Sequence, residues 1–154
     1  MLPTALGAST GYTTLFTTVS DVLTSLDGTR VPDPVELTVP VTTLDAIVRE
    51  RDVRSIDLIK VDVEGWELPV FQGAAATLAR DRPVVIFEAL ADAPSAAIEE
   101  IFGKLDYQIR VIAPGTLRRV TLASAAGAAP ERNFVAVPSE RLAGVLEAAG
   151  GSEG

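Results

Sequence analysis

One stretch near the middle of the chain, from Ile56 to Glu67, constrains the fold more than any other. It reads IDLIKVDVEGWE, with apolar residues on both alternating faces up to Val63. That pattern is typical of a strand inside a parallel sheet that is covered on both sides. Gly65 interrupts the run, and apolar residues then recur every three or four positions, which predicts a helix from Glu67 to Ala79. The unit is a buried strand, an acidic turn and a helix.

The acidic turn is the first candidate site. In open α/β sheets, ligands bind in the crevice at the carboxyl ends of the strands. Asp62, Glu64 and Glu67 are therefore expected to lie where ligands bind. Lys60 precedes Asp62 by two residues and is expected to point to the same face of the strand.

A second buried strand, Pro83 to Phe87, ends at Glu88 and is expected beside the first. Because adjacent strands lie about 4.8 Å apart, Asp62 and Glu88 would face one another across the crevice. Such a pair of carboxylates could share a proton or hold a divalent cation.

Each of these residues also has a structural interpretation. Asp62, Glu64 and Glu67 could instead cap the following helix, since acid near a helix start accepts bonds from free backbone amides. Lys60 could pair with Asp62 or Glu88 rather than act in catalysis. Trp66 could line a substrate pocket or pack against the next element. The sequence leaves these alternatives open.

Composition narrows the classes of function. With 154 residues, 47% of them hydrophobic, the chain has material for the core of one globular domain. It contains no cysteine and no histidine, which excludes disulfides, thiolate nucleophiles, Ser-His relays and Cys/His zinc sites within this chain. A formal charge of -8 argues against nucleic acid and anionic membranes as partners. Without a signal peptide or a run of about 20 apolar residues, a cytoplasmic location is expected.

The rest of the chain alternates between further strands and helices. In the first half we expect a strand at Thr13 to Val19, a short strand near a sheet edge at Val35 to Val41 containing Pro40, and a helix from a Thr42 or Thr43 cap to Arg51. In the second half we expect a helix at Pro94 to Leu105 capped by Asp92 or Ser95, and an antiparallel pair at Tyr107 to Ile112 and Asn133 to Val137. A helix at Ser139 to Ala149 then precedes a frayed end at 150–154.

Several short strings, in this order and spacing, resemble the FkbM-type S-adenosylmethionine-dependent methyltransferases. They are ALG at 5–7, TLD at 43–45, the central string at 56–67, GA at 73–74, the strand at 83–88 and NFVAVP at 133–138. The resemblance implies an α/β chain whose residues 1–138 form part of a Rossmann-like class I methyltransferase fold, with central parallel strands, a C-terminal antiparallel pair and flanking helices. Residues 139–154 would be a C-terminal helix and flexible tail.

The family resemblance implies transfer of a methyl group from S-adenosyl-L-methionine to a hydroxyl of a sugar or other small natural product. Asp62 would be the general base, with Lys60 and Glu88 as further catalytic residues. Asp62 and Glu64 would bind the cofactor, and Trp66 and Glu67 the hydroxyl acceptor. No metal is assigned.

The chain also departs from the family pattern. It lacks the glycine-rich turn and the acidic residue that bind the cofactor in the N-terminal half of such enzymes. We therefore expect either a fragment, which is the favoured interpretation, or a chain whose missing half another subunit supplies. By itself the chain should transfer methyl groups poorly, and its exposed apolar strand edge would be open to another copy or a partner chain. Two other functions remain open, a non-catalytic α/β binding or assembly module and a magnesium-dependent hydrolase or phosphotransferase using Asp62 and Glu88.

Overall fold

The computed structural model describes residues 4–17, 24–26, 31, 33–63, 65–89, 93–114, 116–122 and 133–150. Among these, the strands are β1 (Ala5–Leu6), β2 (Gly11–Thr17), β3 (Thr24–Ser25), β4 (Val35–Thr42), β5 (Leu58–Val61), β6 (Val84–Glu88), β7 (Tyr107–Ala113), β8 (Thr116–Arg119) and β9 (Asn133–Pro138). The helices are α1 (Leu44–Glu50), α2 (Glu67–Gln72), α3 (Ala75–Asp81), α4 (Ser95–Lys104), a 3-10 turn (Ser139–Arg141) and α5 (Leu142–Ala148). In this part of the chain, no helix is long and apolar enough to span a membrane.

The larger sheet has five strands in the order β5-β6-β9-β7-β8. β5 and β6 are parallel, whereas β9 runs antiparallel to both β6 and β7. The sequence predicted a parallel pair of strands and an antiparallel pair that completes the sheet. Both predictions are confirmed, and the chain is an α/β protein. The sequence pattern did not predict β8, which pairs with β7.

An aromatic cluster fills the main core between this sheet and α2 to α4. Phe71 of α2 contacts Phe87 of β6 and Phe102 of α4, with ring centroids 5.4 and 5.0 Å apart in edge-to-face geometry. Phe87 also stacks on Phe134 of β9 at 5.6 Å. All four rings are at most 1% exposed. Such pairs are preferred aromatic geometries and add to the stabilisation from burial itself.

The N-terminal strands form a second, four-stranded sheet in the order β1-β4-β2-β3. β2 and β4 pair antiparallel along their length, while β1 pairs with β4 only at Val41 and Thr42. Pro40 lies beyond that short pairing, so the absence of an N–H there removes no bond to β1. β2 begins at Gly11, earlier than predicted, and residues 18–20 lie outside the described part.

The predicted single helix from Glu67 to Ala79 is wrong, because the structure divides it into α2 and α3 at Gly73 and Ala74. A Cβ at Gly73 would lie only 2.0 Å from the carbonyl oxygen of Gly7. The chain therefore bends where its backbone meets the segment after β1, and only glycine permits this approach. The carbonyl of Gly73 also accepts a bond of 3.0 Å from the amide of Asp45.

The interpretation of the Ile56 to Val63 stretch as a strand buried on both sides is wrong as well. The strand is only Leu58–Val61, and its pairing within the described residues is with β6 alone. Leu58 is 58% exposed. The spacing of apolar residues does not show whether a strand lies in the centre of a sheet or at its edge, because a strand in either position can bury apolar side chains.

The helix ends agree with the sequence in most respects. Thr43 caps α1, with its hydroxyl accepting from the amide of Ala46 at 3.0 Å. α4 begins at Ser95 behind Pro94, and the Ser95 hydroxyl donates to the carbonyl of Ala93 rather than capping the helix. The other predicted cap, Asp92, lies outside the described residues. α5 packs Leu142 and Leu146 against Val135 and Val137, on the face of the sheet opposite the aromatic core.

Candidate functional site

Lys60 and Asp62 form an ion pair at the carboxyl end of β5. The Nζ of Lys60 lies 2.6 Å from Oδ2 of Asp62. Both side chains are substantially exposed, at 63% and 48%. Of the two partners the sequence allowed for Lys60, the structure places Asp62 in contact. The pair is an accessible carboxylate held beside an ammonium group.

Glu88 ends the neighbouring strand. Val61 of β5 is paired with Phe87 of β6, so the next residues along both parallel strands, Asp62 and Glu88, share the following row at the carboxyl end. Glu88 is half-buried and is paired with Asn133 of the neighbouring strand β9. Among the described residues, no group of three or more Asp or Glu side chains could hold a metal ion.

Glu67, the first residue of α2, is almost fully buried, at 1% exposed. Its Oε1 accepts a hydrogen bond of 3.0 Å from the amide of Gly65, which has a left-handed φ of 97°. The amide of Trp66 donates to the carbonyl of Val63. The two turn amides are therefore bonded to groups other than Asp62, whose carboxylate does not cap the following helix. Glu64 lies outside the described residues.

Trp66 is half-buried and packs against the main core. Its Nε1 is buried and has no hydrogen-bond partner in the structure. The same atom would lie 3.5 Å from a Cβ built on Gly7, so the indole edge rests against the segment after β1. This position matches the packing interpretation of Trp66 and leaves its donor unsatisfied.

A cavity of about 750 Å³ runs along β5 and contains both members of the ion pair in its lining. Residues of β1, β2 and α1 to α3 line it together with Ser25 and Leu26. The lining is predominantly apolar: Leu6, Leu15, Leu26, Leu44, Ile56, Leu58, Ile59, Val61, Val63, Val70, Phe71 and Leu78 contribute to it. Lys60 and Asp62 are the charged side chains in this lining.

Two contacts that the sequence did not predict hold the walls of this cavity together. The carboxylate of Asp45, in the first turn of α1, accepts from the amides of Ala76 and Thr77 at 2.9 and 2.8 Å. The backbone of Gly73 meets that of Gly7. Asp45, Gly73 and Gly7 belong to the short strings TLD, GA and ALG that resemble the family pattern. That membership was the only signal in the sequence, and it did not indicate these contacts.

Comparison with known proteins gives one match. The family profile described as "Methyltransferase FkbM domain" matches residues 4–109, which include β5, β6 and the Lys60–Asp62 pair. No similar protein was found among curated proteins or among solved structures.

Proposed function

The chain belongs to the FkbM methyltransferase domain family, and from that premise we propose that it transfers a methyl group from S-adenosyl-L-methionine to a hydroxyl oxygen. The acceptor in this proposal is a sugar or another small natural product. The proposal rests on Asp62, whose exposed carboxylate lies at the carboxyl end of β5 and lines the cavity. The residues that line this cavity fall within the range of the family match. We propose further that the five-stranded sheet is the C-terminal part of a Rossmann-like class I methyltransferase fold.

The residues of the cavity fit the cofactor in size and chemistry. Ligand pockets usually measure roughly 300–1,000 Å³ and are mostly apolar with a few polar groups. The apolar walls suit an adenine ring, the Asp62 carboxylate suits the positively charged sulfonium that carries the methyl group, and the Lys60 ammonium suits the carboxylate of the methionine part. When bound, S-adenosyl-L-methionine supplies an electrophilic methyl group. Glu64 belongs to the proposal as a second cofactor-binding residue.

The protein's own chemical task is to orient the acceptor hydroxyl and to take its proton. Asp62 is the proposed base, because its carboxylate is accessible and is held in place by Lys60 at 2.6 Å. Glu88, in the same row of the sheet, can accept a second hydrogen bond from the acceptor. Trp66 and Glu67 are proposed to act on the acceptor side. Their burial in the turn indicates that they would act by shaping the cavity wall.

The test begins with calorimetric binding of S-adenosyl-L-methionine and S-adenosylhomocysteine to the purified chain. Methyl transfer from labelled cofactor to a panel of hydroxylated sugars and natural products follows. Asp62→Asn should lower the rate of transfer about 100-fold while leaving cofactor binding measurable, as expected for loss of a general base. The matched control is Asp52→Asn, an exposed aspartate with a φ of 50° that asparagine also accepts.

Two results would contradict the proposal. One is the absence of both cofactor binding and transfer. The other is an equal effect of the Asp62 and Asp52 substitutions on the rate. The first result would favour the second candidate function, a non-catalytic α/β binding module. A specific observation supports that alternative: among the residues that the structure describes, β5 pairs only with β6, and its other edge lines an apolar cavity.

A further inference from the structure

A buried carboxylate binds the turn that follows Asp62. The chain turns between Val63 and Trp66, where the amide of Trp66 donates to the carbonyl of Val63 at 3.3 Å. Gly65, the third residue of this turn, has a φ of 97°. Glu67, which is 1% exposed, follows as the first residue of α2, and its Oε1 accepts from the amide of Gly65 at 3.0 Å. The carboxylate of Glu67 is therefore directed back into the turn.

The amide of Gly65 belongs to the peptide group that decides the conformation of the turn. β-turns of types I and II differ by a rotation of their central peptide, which carries the N–H of the third residue and changes φ there from about −90° to about +80°. The φ of Gly65 has the sign of the second type. A hydrogen bond to the N–H opposes the rotation, because the donor would turn away from the carboxylate. Glu67 therefore selects one of the two conformers that glycine allows.

Both flanks of this segment are fixed by packing, so the conformation of the turn decides where Asp62 lies. On one side, Val61 is paired with Phe87 of β6. On the other side, Val70 and Phe71 hold α2 in the core, at 3 and 1% exposed. Because close-packed flanks do not move easily, a rotated peptide would displace the few residues between them, and Asp62 is one of these.

We propose that Glu67 is the positioning residue of Asp62. Its buried carboxylate fixes the peptide of Gly65 and, through it, the orientation of the Asp62 carboxylate beside Lys60. This role rests on the proposed methyl transfer, in which Asp62 takes the proton of the acceptor hydroxyl. Glu67 acts through the backbone and not by contact with the acceptor. Its burial supports this role, because taking a carboxylate out of water costs free energy that an apolar side chain at this position would not.

Two substitutions of similar length separate this role from simple packing. Glu67→Gln keeps an oxygen that can accept from the amide of Gly65, whereas Glu67→Met keeps the length of the side chain and removes that acceptor. Both are made in the full chain, with Asp62 present and with Asp62→Asn. Leu146→Ala is the control for a loss of stability, because Leu146 is buried on the face of the sheet opposite the aromatic core.

Glu67→Met should lower kcat for methyl transfer roughly 10–100-fold and change KM for the cofactor less than about threefold, since a displaced base slows the chemical step and not binding. Glu67→Gln should keep kcat within about threefold of the wild type. With Asp62→Asn, Glu67→Met should cost less than about threefold, because its effect passes through a base that is already removed. Leu146→Ala, assayed below its unfolding temperature, should leave kcat unchanged. Equal effects of Glu67→Met with and without Asp62, or equal losses in the Gln and Met variants, would overturn the role of Glu67.

Two further measurements do not need turnover. Hydrogen exchange at the amide of Gly65 should be roughly tenfold faster in Glu67→Met than in the wild type or Glu67→Gln. The carbon-13 signal of the Asp62 carboxylate should shift or broaden in Glu67→Met alone. Unchanged exchange, or an unchanged Asp62 signal, would also overturn the role of Glu67. A wild type that binds no cofactor and transfers no methyl group would instead contradict the proposed function, and these two measurements would still decide whether Glu67 orients Asp62.

Discussion

Asp45 and Thr77 are joined by two hydrogen bonds although they lie 32 residues apart. Oδ1 of Asp45 accepts from the backbone amide of Thr77 at 2.8 Å and from its hydroxyl at 2.6 Å. α3 has Ala74 at its N-cap position, which provides no side-chain cap. The first turn of α1 therefore satisfies the free amides at the start of another helix. This contact fastens α1 to α3 on one wall of the cavity.

Replacing Asp45 by alanine should destabilise the fold by about 0.5–2 kcal/mol, because two amides in the first turn of α3 and the Thr77 hydroxyl lose their acceptor. Glu50→Ala removes the same charge from the exposed end of α1 and should change stability by less than about 0.5 kcal/mol. Urea unfolding followed by circular dichroism measures both. Equal losses for the two variants would show that the effect comes from charge and not from the cap.

Gly73→Ala should destabilise the protein by at least about 1–3 kcal/mol. Its Cβ would lie 2.0 Å from the carbonyl oxygen of Gly7 and 3.2 Å from Cβ of Thr43, and backbone cannot move aside cheaply. Gly103→Ala is the matched control, since a Cβ there meets nothing within 4 Å in α4. The control should gain about 0.5–1 kcal/mol. Thermal unfolding of both variants is the measurement, and a stabilised Gly73→Ala protein would refute the close approach.

Trp66→Phe should change the free energy of unfolding by less than about 1 kcal/mol. The smaller ring gives up some packing, but the substitution also removes a buried Nε1 donor that has no partner in the structure. Chemical denaturation followed by circular dichroism is suitable, since the variant lacks the single tryptophan of the chain. A loss of several kcal/mol would indicate that the indole makes a bond that the structure lacks.

The pairing of Arg82 with Glu140 should make stability depend on pH in the acid range. Arg82 donates to both carboxylate oxygens, at 2.7 and 2.5 Å. Its guanidinium lowers the pKa of Glu140 from 4.5 to about 2. Since the folded-state pKa is depressed, the contribution of the pair is complete above the unfolded pKa and is lost as pH falls from about 4.5 to 2.

Unfolding of the wild type and of Glu140→Gln should be compared across this pH range. The difference between the two proteins should be largest near neutrality and should shrink toward pH 2. A difference that stays constant with pH would contradict the depressed pKa.

Tyr107 should titrate well above an ordinary tyrosine. Burial raises its pKa from 10.0 to about 12, and its hydroxyl donates to the carbonyl of Leu78 at 3.3 Å. Because the folded-state pKa is raised, this contribution to stability is present below pH 10 and is lost as pH rises toward 12. Tyr12→Phe leaves Tyr107 as the one tyrosine, so ultraviolet absorbance of the phenolate reports it directly. Titration near pH 10 in the folded state would contradict the prediction.

Most elements with a strong local pattern were predictable. The apolar run of β6, the alternation in β7 and β9, and the three-four spacing of Ile98 and Phe102 in α4 all depend on nearby residues, and the structure confirms them. The division at Gly73 was not predictable, because it depends on the backbone of Gly7, 66 positions earlier in the chain. β8 was missed because its four residues, Thr116–Arg119, include only one apolar side chain.

For the candidate site, the sequence placed Asp62 and Lys60 on one strand face and Glu88 at the end of the next strand, and register and distance agree with this. It could not show whether Glu67 is buried, and it could not show that Asp45 connects α1 to α3 beside the cavity. Those facts depend on how separate elements pack, and a local pattern carries no information on packing partners.

The sequence by itself determined several of the elements, among them β6, β7, β9 and α4, and that acidic residues end two neighbouring strands, since these follow from residue spacing and turn chemistry. Only the tertiary structure decided that β5 has a single neighbouring strand within the described part of the chain, that the N-terminal strands form a sheet of their own, and that both sheets and α1 to α3 line an apolar cavity. The physical reason is that burial depends on which surfaces meet. The same apolar run of β5 is compatible with a neighbour on one side or on both.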